Sequence, residues 1–218
     1  MKLAWLLLLA VLVAAIAAVP SEALVDNPGG KKQEDRRALS RDFPGATISV
    51  PSGWQLDASY PAPGLHAYRT RLYPNTKGMI IFLKPPKVVF DSKQHRGVRL
   101  RTTFLDWIVR HPHLKTTTVK SLRLAGLTAR AVDGQVRSAD RPGFRKGFCG
   151  PAMSKNPCVP LTADKDSRGY VTLSLEPRAT FRFITIVLPH RRELLVQIDG
   201  GRSFIQRAVK VLGTLKLK

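Results

Sequence analysis

Acidic residues are scarce in this chain of 218 residues. Fifteen Asp and Glu stand against thirty-six Lys and Arg, a formal net charge of +21. Glycoside hydrolysis needs two facing carboxylates, and Asp57, Asp91, Asp106, Asp133, Glu193 and Asp199 show no evident pairing along the sequence. Cysteine is scarcer still. Two cysteines exclude a disulfide-built scaffold and a four-thiolate zinc site. The Gly-x-Ser-x-Gly elbow, Gly-rich phosphate loops and the helical His-Glu-x-x-His pattern are all missing. These absences disfavour an enzyme of a familiar class. No internal repeat is present. What remains is a chain 44% apolar and 23% charged, enough to bury a sizeable core in one domain of ordinary size.

The first residues read as an address. Met1-Lys2 precede an unbroken apolar run from Leu3 to Val19, and Pro20-Ser21-Glu22-Ala23 follow. A positive charge, an apolar stretch and small residues before a cut make a secretory signal peptide. Ser21-x-Ala23 places cleavage after Ala23, with Ala17 or Ala18 as rival sites. An uncleaved anchor is the alternative, since 17 residues make a helix of roughly 26 Å, at the short limit for a bilayer. Export holds either way. No cysteine lies near the cut, which excludes a lipid-modified lipoprotein. Cleavage removes Lys2 and Glu22 together, so the mature chain keeps its +21.

Residues 24–42 read as a flexible charged tether, broken by Asn27-Pro28-Gly29-Gly30, with room for a short frayed helix from Gln33 to Leu39. The single domain then runs from 43 to 218. Strands are expected at Ala46–Val50, from Trp54, at His66–Tyr73 and at Met79–Leu83, the last two as a hairpin. Thr103-x-x-Asp106 opens a helix with Phe104, Trp107, Ile108 and His111 on one face, and Pro112 ends it. Asp106 and Arg110 stand four apart, a favourable surface pair. Thr116–Leu124 and Leu127–Val136 flank a hairpin turn at Ala125-Gly126. Residues 137–169 read as a long irregular stretch. Val171–Leu175, Thr180–Leu188 and Glu193–Ile198 form a three-strand run. A last helix, capped by Ser203, carries Phe204, Ile205, Ala208, Val209 and Leu212 inward and turns Arg202, Gln206, Arg207 and Lys210 to water. Gly213 ends it in a left-handed turn, and Thr214–Leu217 adds an edge strand. The fold class is α+β, an antiparallel sheet with helices packed on its faces.

Cys149 and Cys158 close a loop of ten residues rich in Gly and Pro. In an exported chain the simplest reading is a disulfide, worth ~2.7 kcal/mol on the chain-entropy model. A redox pair usually has two intervening residues rather than eight. His111-x-His113 has the spacing of a metal pair on a strand, but Pro112 intervenes, and His66, His95 and His190 are scattered. His111 is better placed as a cation at the helix C-terminus. No metal or cofactor is called for. The charge excess attracts polyanions by counterion release. Arg69 and Arg71 on one strand face, and Arg191-Arg192 at a turn, are the candidate anion contacts.

Ile48-Ser49-Val50-Pro51-Ser52-Gly53-Trp54 resembles the opening of PsbP/Mog1-like domains. The Trp107–Pro112 helix end, the cysteine loop and the terminal helix are similar to small exported actinobacterial proteins of that superfamily, including LpqN-type ones. The resemblance would cover residues 43–218. It implies an antiparallel sheet sandwiched by helices and a binding or accessory role with no shared catalytic residue. The lipid-attachment cysteine of many members is missing.

The expectation is an exported, non-catalytic binding or accessory protein of the cell envelope, with a basic surface for acidic wall polymers or lipid headgroups. Export removes intracellular nucleic acid as a partner. One alternative is a secreted hydrolase whose pocket would gather two or more of Asp57, Asp91, His95, His111, Asp133 and Glu193. Another is a signal-anchored envelope protein.

Overall fold

The computed structural model describes residues 35–38, 43–57, 70–74, 78–94, 96–137, 145–146, 157–163 and 171–217. All of them fall within one compact unit, Lys32–Lys218. The expected signal segment, and most of the expected tether, lie outside these residues.

The strands in chain order are β1 (Asp35–Ala38), β2 (Ala46–Val50), β3 (Trp54–Asp57), β4 (Thr70–Pro74), β5 (Gly78–Leu83), β6 (Val88–Asp91) and β7 (Arg96–Arg99). Helix α1 (Phe104–Val109) precedes β8 (Leu114–Thr116), β9 (Lys120–Leu124), β10 (Leu127–Val136), β11 (Arg145–Lys146) and β12 (Pro157–Ala163). The chain continues through β13 (Val171–Leu175), β14 (Thr180–Val187), β15 (Glu193–Gly200), α2 (Arg202–Leu212) and β16 (Lys216–Leu217).

The central sheet has the order β3-β4-β5-β15-β14-β10-β8, and every pairing in it is antiparallel. Strand β10 is long enough to hold β9 along its first half and β8 along its second. Because side chains alternate across a strand, each central strand feeds two cores. Ile80, Phe82, Ile184, Ile186, Leu194, Val196 and Ile198 enter one, with α2 and β2 over them. Ile81, Leu83, Phe181, Phe183 and Leu195 enter the other, under α1, β12 and β13. The buried run Leu194–Ile198 is continuous because this strand is covered on both faces.

Smaller sheets flank the central one: β1-β2-β16, β6-β7 and β11-β12-β13. Here the structure corrects several expectations. Within the expected tether, Asp35–Ala38 is a strand on β2 rather than part of a helix. The stretch expected to be irregular contributes β12, whose Cys158, Val159 and Leu161 are buried. Strand β13 pairs with β12, not with β14. The run 116–124 is two strands, β8 and β9, with a break at 117–119.

Helix α1 starts as its sequence implies. The Thr103 hydroxyl accepts the Asp106 backbone N–H at 3.3 Å and donates to its carboxylate at 2.5 Å. Phe104, Leu105 and Ile108 are buried.

Helix α2 departs from the sequence reading at both ends. Ser203 lies inside it; the N-cap is Gly201, which offers no side-chain acceptor. Gly213 stands at φ −61°, in right-handed rather than left-handed conformation. Phe204, Ile205, Ala208, Val211 and Leu212 are buried, and large side chains of this kind stabilise by about 1.5–3 kcal/mol each. Phe204 carries a second duty. Gly78 and Gly200 are cross-strand partners, and a Cβ built on either would lie 2.7 or 2.6 Å from the Phe204 ring. The ring therefore lies against bare backbone, and Trp54 stacks on it at 5.5 Å between centroids.

Candidate functional site

Helix α2 shows its apolar stripe to the core, so its outer face is free to be polar. That face consists of the exposed Arg202, Ser203, Gln206, Arg207 and Lys210. No acid stands on the helix, so no i,i+4 pair offsets these cations. Residues 202, 203, 206, 207 and 210 fall on one side of a 3.6-residue period. In sequence, Arg202, Gln206, Arg207 and Lys210 read as water-facing and Ser203 as the cap, and none of them counts among the expected anion contacts. The signal available was the absence of any Asp or Glu between Arg202 and Lys218.

The second basic element is the β14–β15 connection. His190, Arg191 and Arg192 are all exposed there. Leu188 N–H donates to the Arg192 carbonyl at 2.8 Å, closing a three-residue loop. His190 (φ 59°) and Arg191 (φ 57°) both adopt the left-handed region, which costs a non-glycine residue about 1–2 kcal/mol. Arg191→Gly is therefore expected to raise stability by about 1 kcal/mol while weakening retention on an anionic matrix. Urea unfolding and salt elution of the same variant check the two signs.

Of the other candidate contacts, Arg69 lies outside the described residues. Arg71 is placed in β4 opposite Asp57 and Ile81, and its side chain lies outside them. Two ion pairs among the described residues involve Arg130 and Arg182. Arg130 Nη2 reaches Asp106 Oδ1 at 3.2 Å, so the hydrogen-bonded partner of Asp106 comes from β10, and Arg110 acts on it through charge alone. The Thr103 hydroxyl does most to hold the Asp106 carboxyl below its ordinary value; burial opposes it, and Arg130 and then Arg110 add to the lowering. Arg182 grips Asp133 with two bonds, at 2.5 and 2.8 Å, across the β10–β14 pair. The Asp133 bond pushes the guanidinium further up.

The residues a scattered hydrolase site would gather are engaged in different places. Asp91 accepts the backbone N–H groups of Lys93 and Gln94 in the β6–β7 turn. Asp133 is taken by Arg182, and Glu193 is exposed at the start of β15. His95 and the Asp57 side chain lie outside the described residues. His111 is buried against Trp107, their ring centroids 4.9 Å apart, and its Nδ1 accepts the His113 N–H at 3.3 Å. Burial first, and His113 second, push its pKa down to about 3. A cationic His111 at the helix end is thereby corrected: the ring is a neutral core group, because desolvation outweighs any attraction to the terminal carbonyls.

No group of three or more His, Cys, Asp or Glu set to hold a metal is found among the described residues. None of the described helices is long and apolar enough to cross a membrane. Cys158 is 2% exposed on β12, and no described cysteine is a free thiol; its expected partner Cys149 lies outside the described residues.

Comparison with protein-family models and with curated proteins finds no match. Among solved structures, the chain is similar to the cyanobacterial PsbP (CyanoP) of Synechocystis sp. PCC 6803. The TM-score is 0.41 and the identity 8%, over 88% of this chain and 96% of that one. This is a weak PsbP-like resemblance, at a level that assigns no activity.

Proposed function

We propose that the chain is an exported, non-catalytic binding or accessory protein of the cell envelope. Its basic surface engages an acidic wall polymer or anionic lipid headgroups. The observation that carries this reading is the outer face of α2, where Arg202, Arg207 and Lys210 stand exposed with no acid on the helix. The β14–β15 loop with Arg191 and Arg192 is the second contact region. Cys149 and Cys158 form a structural bridge in the exported protein, and the architecture is the PsbP/Mog1-like sandwich, with α1 and α2 on opposite faces of the central sheet.

Binding to anionic vesicles and to heparin, followed against salt, tests the reading. The protein is expected to stay bound well above physiological salt. Each Lys or Arg near an anionic surface contributes about 1 kcal/mol, so reversing the three cations (R202E/R207E/K210E) should weaken vesicle binding by at least about a hundredfold. Elution at physiological salt, or a triple variant that binds like the parent, would overturn it. N-terminal sequencing of the mature protein separates cleavage after Ala23 from a retained anchor.

A further inference from the structure

Strand β15 is apolar from Leu194 to Ile198 except for Gln197, and Asp199 follows two residues later on the same face. Gln197 is fully buried. Its Nε2 donates to Asp199 Oδ2 at 2.5 Å. The other oxygen of each group, Gln197 Oε1 and Asp199 Oδ1, is buried without a hydrogen-bond partner. Buried polar atoms in folded proteins are almost always bonded, so this pair needs an explanation. It holds an excess of acceptors. An ionised carboxylate only accepts, whereas a protonated one supplies a donor. One proton on Asp199 thus relieves the excess.

The cross-strand neighbours of Asp199 are Phe181 on β14 and Met79 on β5, neither of which brings charge. The charged group that acts on it comes from the β13–β14 turn, Glu176–Ala179, where Glu176 adds a like charge. That turn is closed by Ala179 N–H on the Glu176 carbonyl at 3.1 Å. It is tied to β10 by Val136 N–H on the Ala179 carbonyl at 2.9 Å. Arg178 sits in it at φ 62°, a left-handed position for a non-glycine residue.

We propose that Gln197, Asp199 and Glu176 form a proton-operated latch that fastens the β13–β14 turn to the end of the central sheet. With Asp199 protonated, the carboxylic acid and the amide satisfy each other and Glu176 lies beside a neutral group. When Asp199 ionises, a buried negative charge faces Glu176 without compensation, and the turn opens to let water in. Burial first, and Glu176 in the same direction, push the Asp199 pKa up to about 7 against the opposing Gln197 bond. An acid whose folded pKa is raised binds its proton more tightly closed than open. The latch is therefore tight on the acid side and weakens as pH rises between the ordinary carboxylate value and about 7.

Hydrogen exchange of the Ala179 and Val136 amides, corrected for intrinsic rates, reads the opening. The expected opening constant rises about tenfold per pH unit from about pH 5 to 7 and levels off above. Asp199→Asn should abolish that slope, and Glu176→Gln should end it at lower pH, through a less raised midpoint and a smaller total amplitude. A flat wild-type profile, or an Asp199→Asn variant that keeps the slope, overturns the latch. Carbon-13 titration of the Asp199 carboxyl in the wild-type protein decides independently of any variant. A midpoint near 7 supports the latch, and one in the ordinary carboxylate range refutes it.

Discussion

Gly200→Ala is expected to lower the unfolding free energy by about 2–5 kcal/mol, the sum of a forbidden backbone conformation and an overpacked contact. Gly200 stands at φ +149°, which L side chains rarely adopt, and its Cβ would meet Phe204 Cδ1 at 2.6 Å. The ring cannot retreat, because Trp54 stacks on it. One residue on, the outcome reverses. Gly201 has φ −63° and nothing within 4 Å of an added Cβ. Gly201→Ser gives α2 the capping oxygen it lacks and should stabilise by about 0.5 kcal/mol. Urea unfolding of the two variants checks the contrast. Similar midpoints for both would sink the assignment of Phe204 as a ring laid over bare backbone.

Removing either cysteine is expected to cost about 2.7 kcal/mol, with a range of roughly 2–5, if Cys149 and Cys158 are bridged as proposed. The discriminating result is the double variant. Two thiols in one bond are lost together, so Cys149→Ser, Cys158→Ser and the pair should destabilise by the same amount. Additive losses would instead mean two separate packing contributions and no bridge. Cys158 sits opposite Arg145 at the β11–β12 pairing, so loss of the bridge should also speed exchange of the β12 amides.

The legible parts of the fold were those whose residues answer to local rules. Met79–Leu83 announces itself as a continuous apolar run, the stripe of α2 by its period, and Thr103 by its spacing from Asp106. The parts missed depend on distant partners. β12 carries Pro157 and Pro160, which argue against a strand until β13 is present to pair with it. Asp106 takes its hydrogen bond from Arg130, 24 residues away, and the helical neighbour that spacing favours acts on it through charge alone. His111 reads as a helix-end cation in one dimension and is a neutral core ring in three. Gln197 and Asp199 look like the polar side of a strand, and only the cover over both faces of β15 turns them into a buried pair. The basic residues of α2 were visible from the start. Their standing as a candidate site needed the helix to show which face stays outside.

Strand β2 is held between β1 and β16, with Thr47 paired to Ala38 on one side and to Lys216 on the other. The second of these pairings spans almost the whole domain, the kind of contact that slows folding most. Until residues 216 and 217 have been synthesised, β2 presents an open edge. During translation, then, the order in which residues emerge works against early closure.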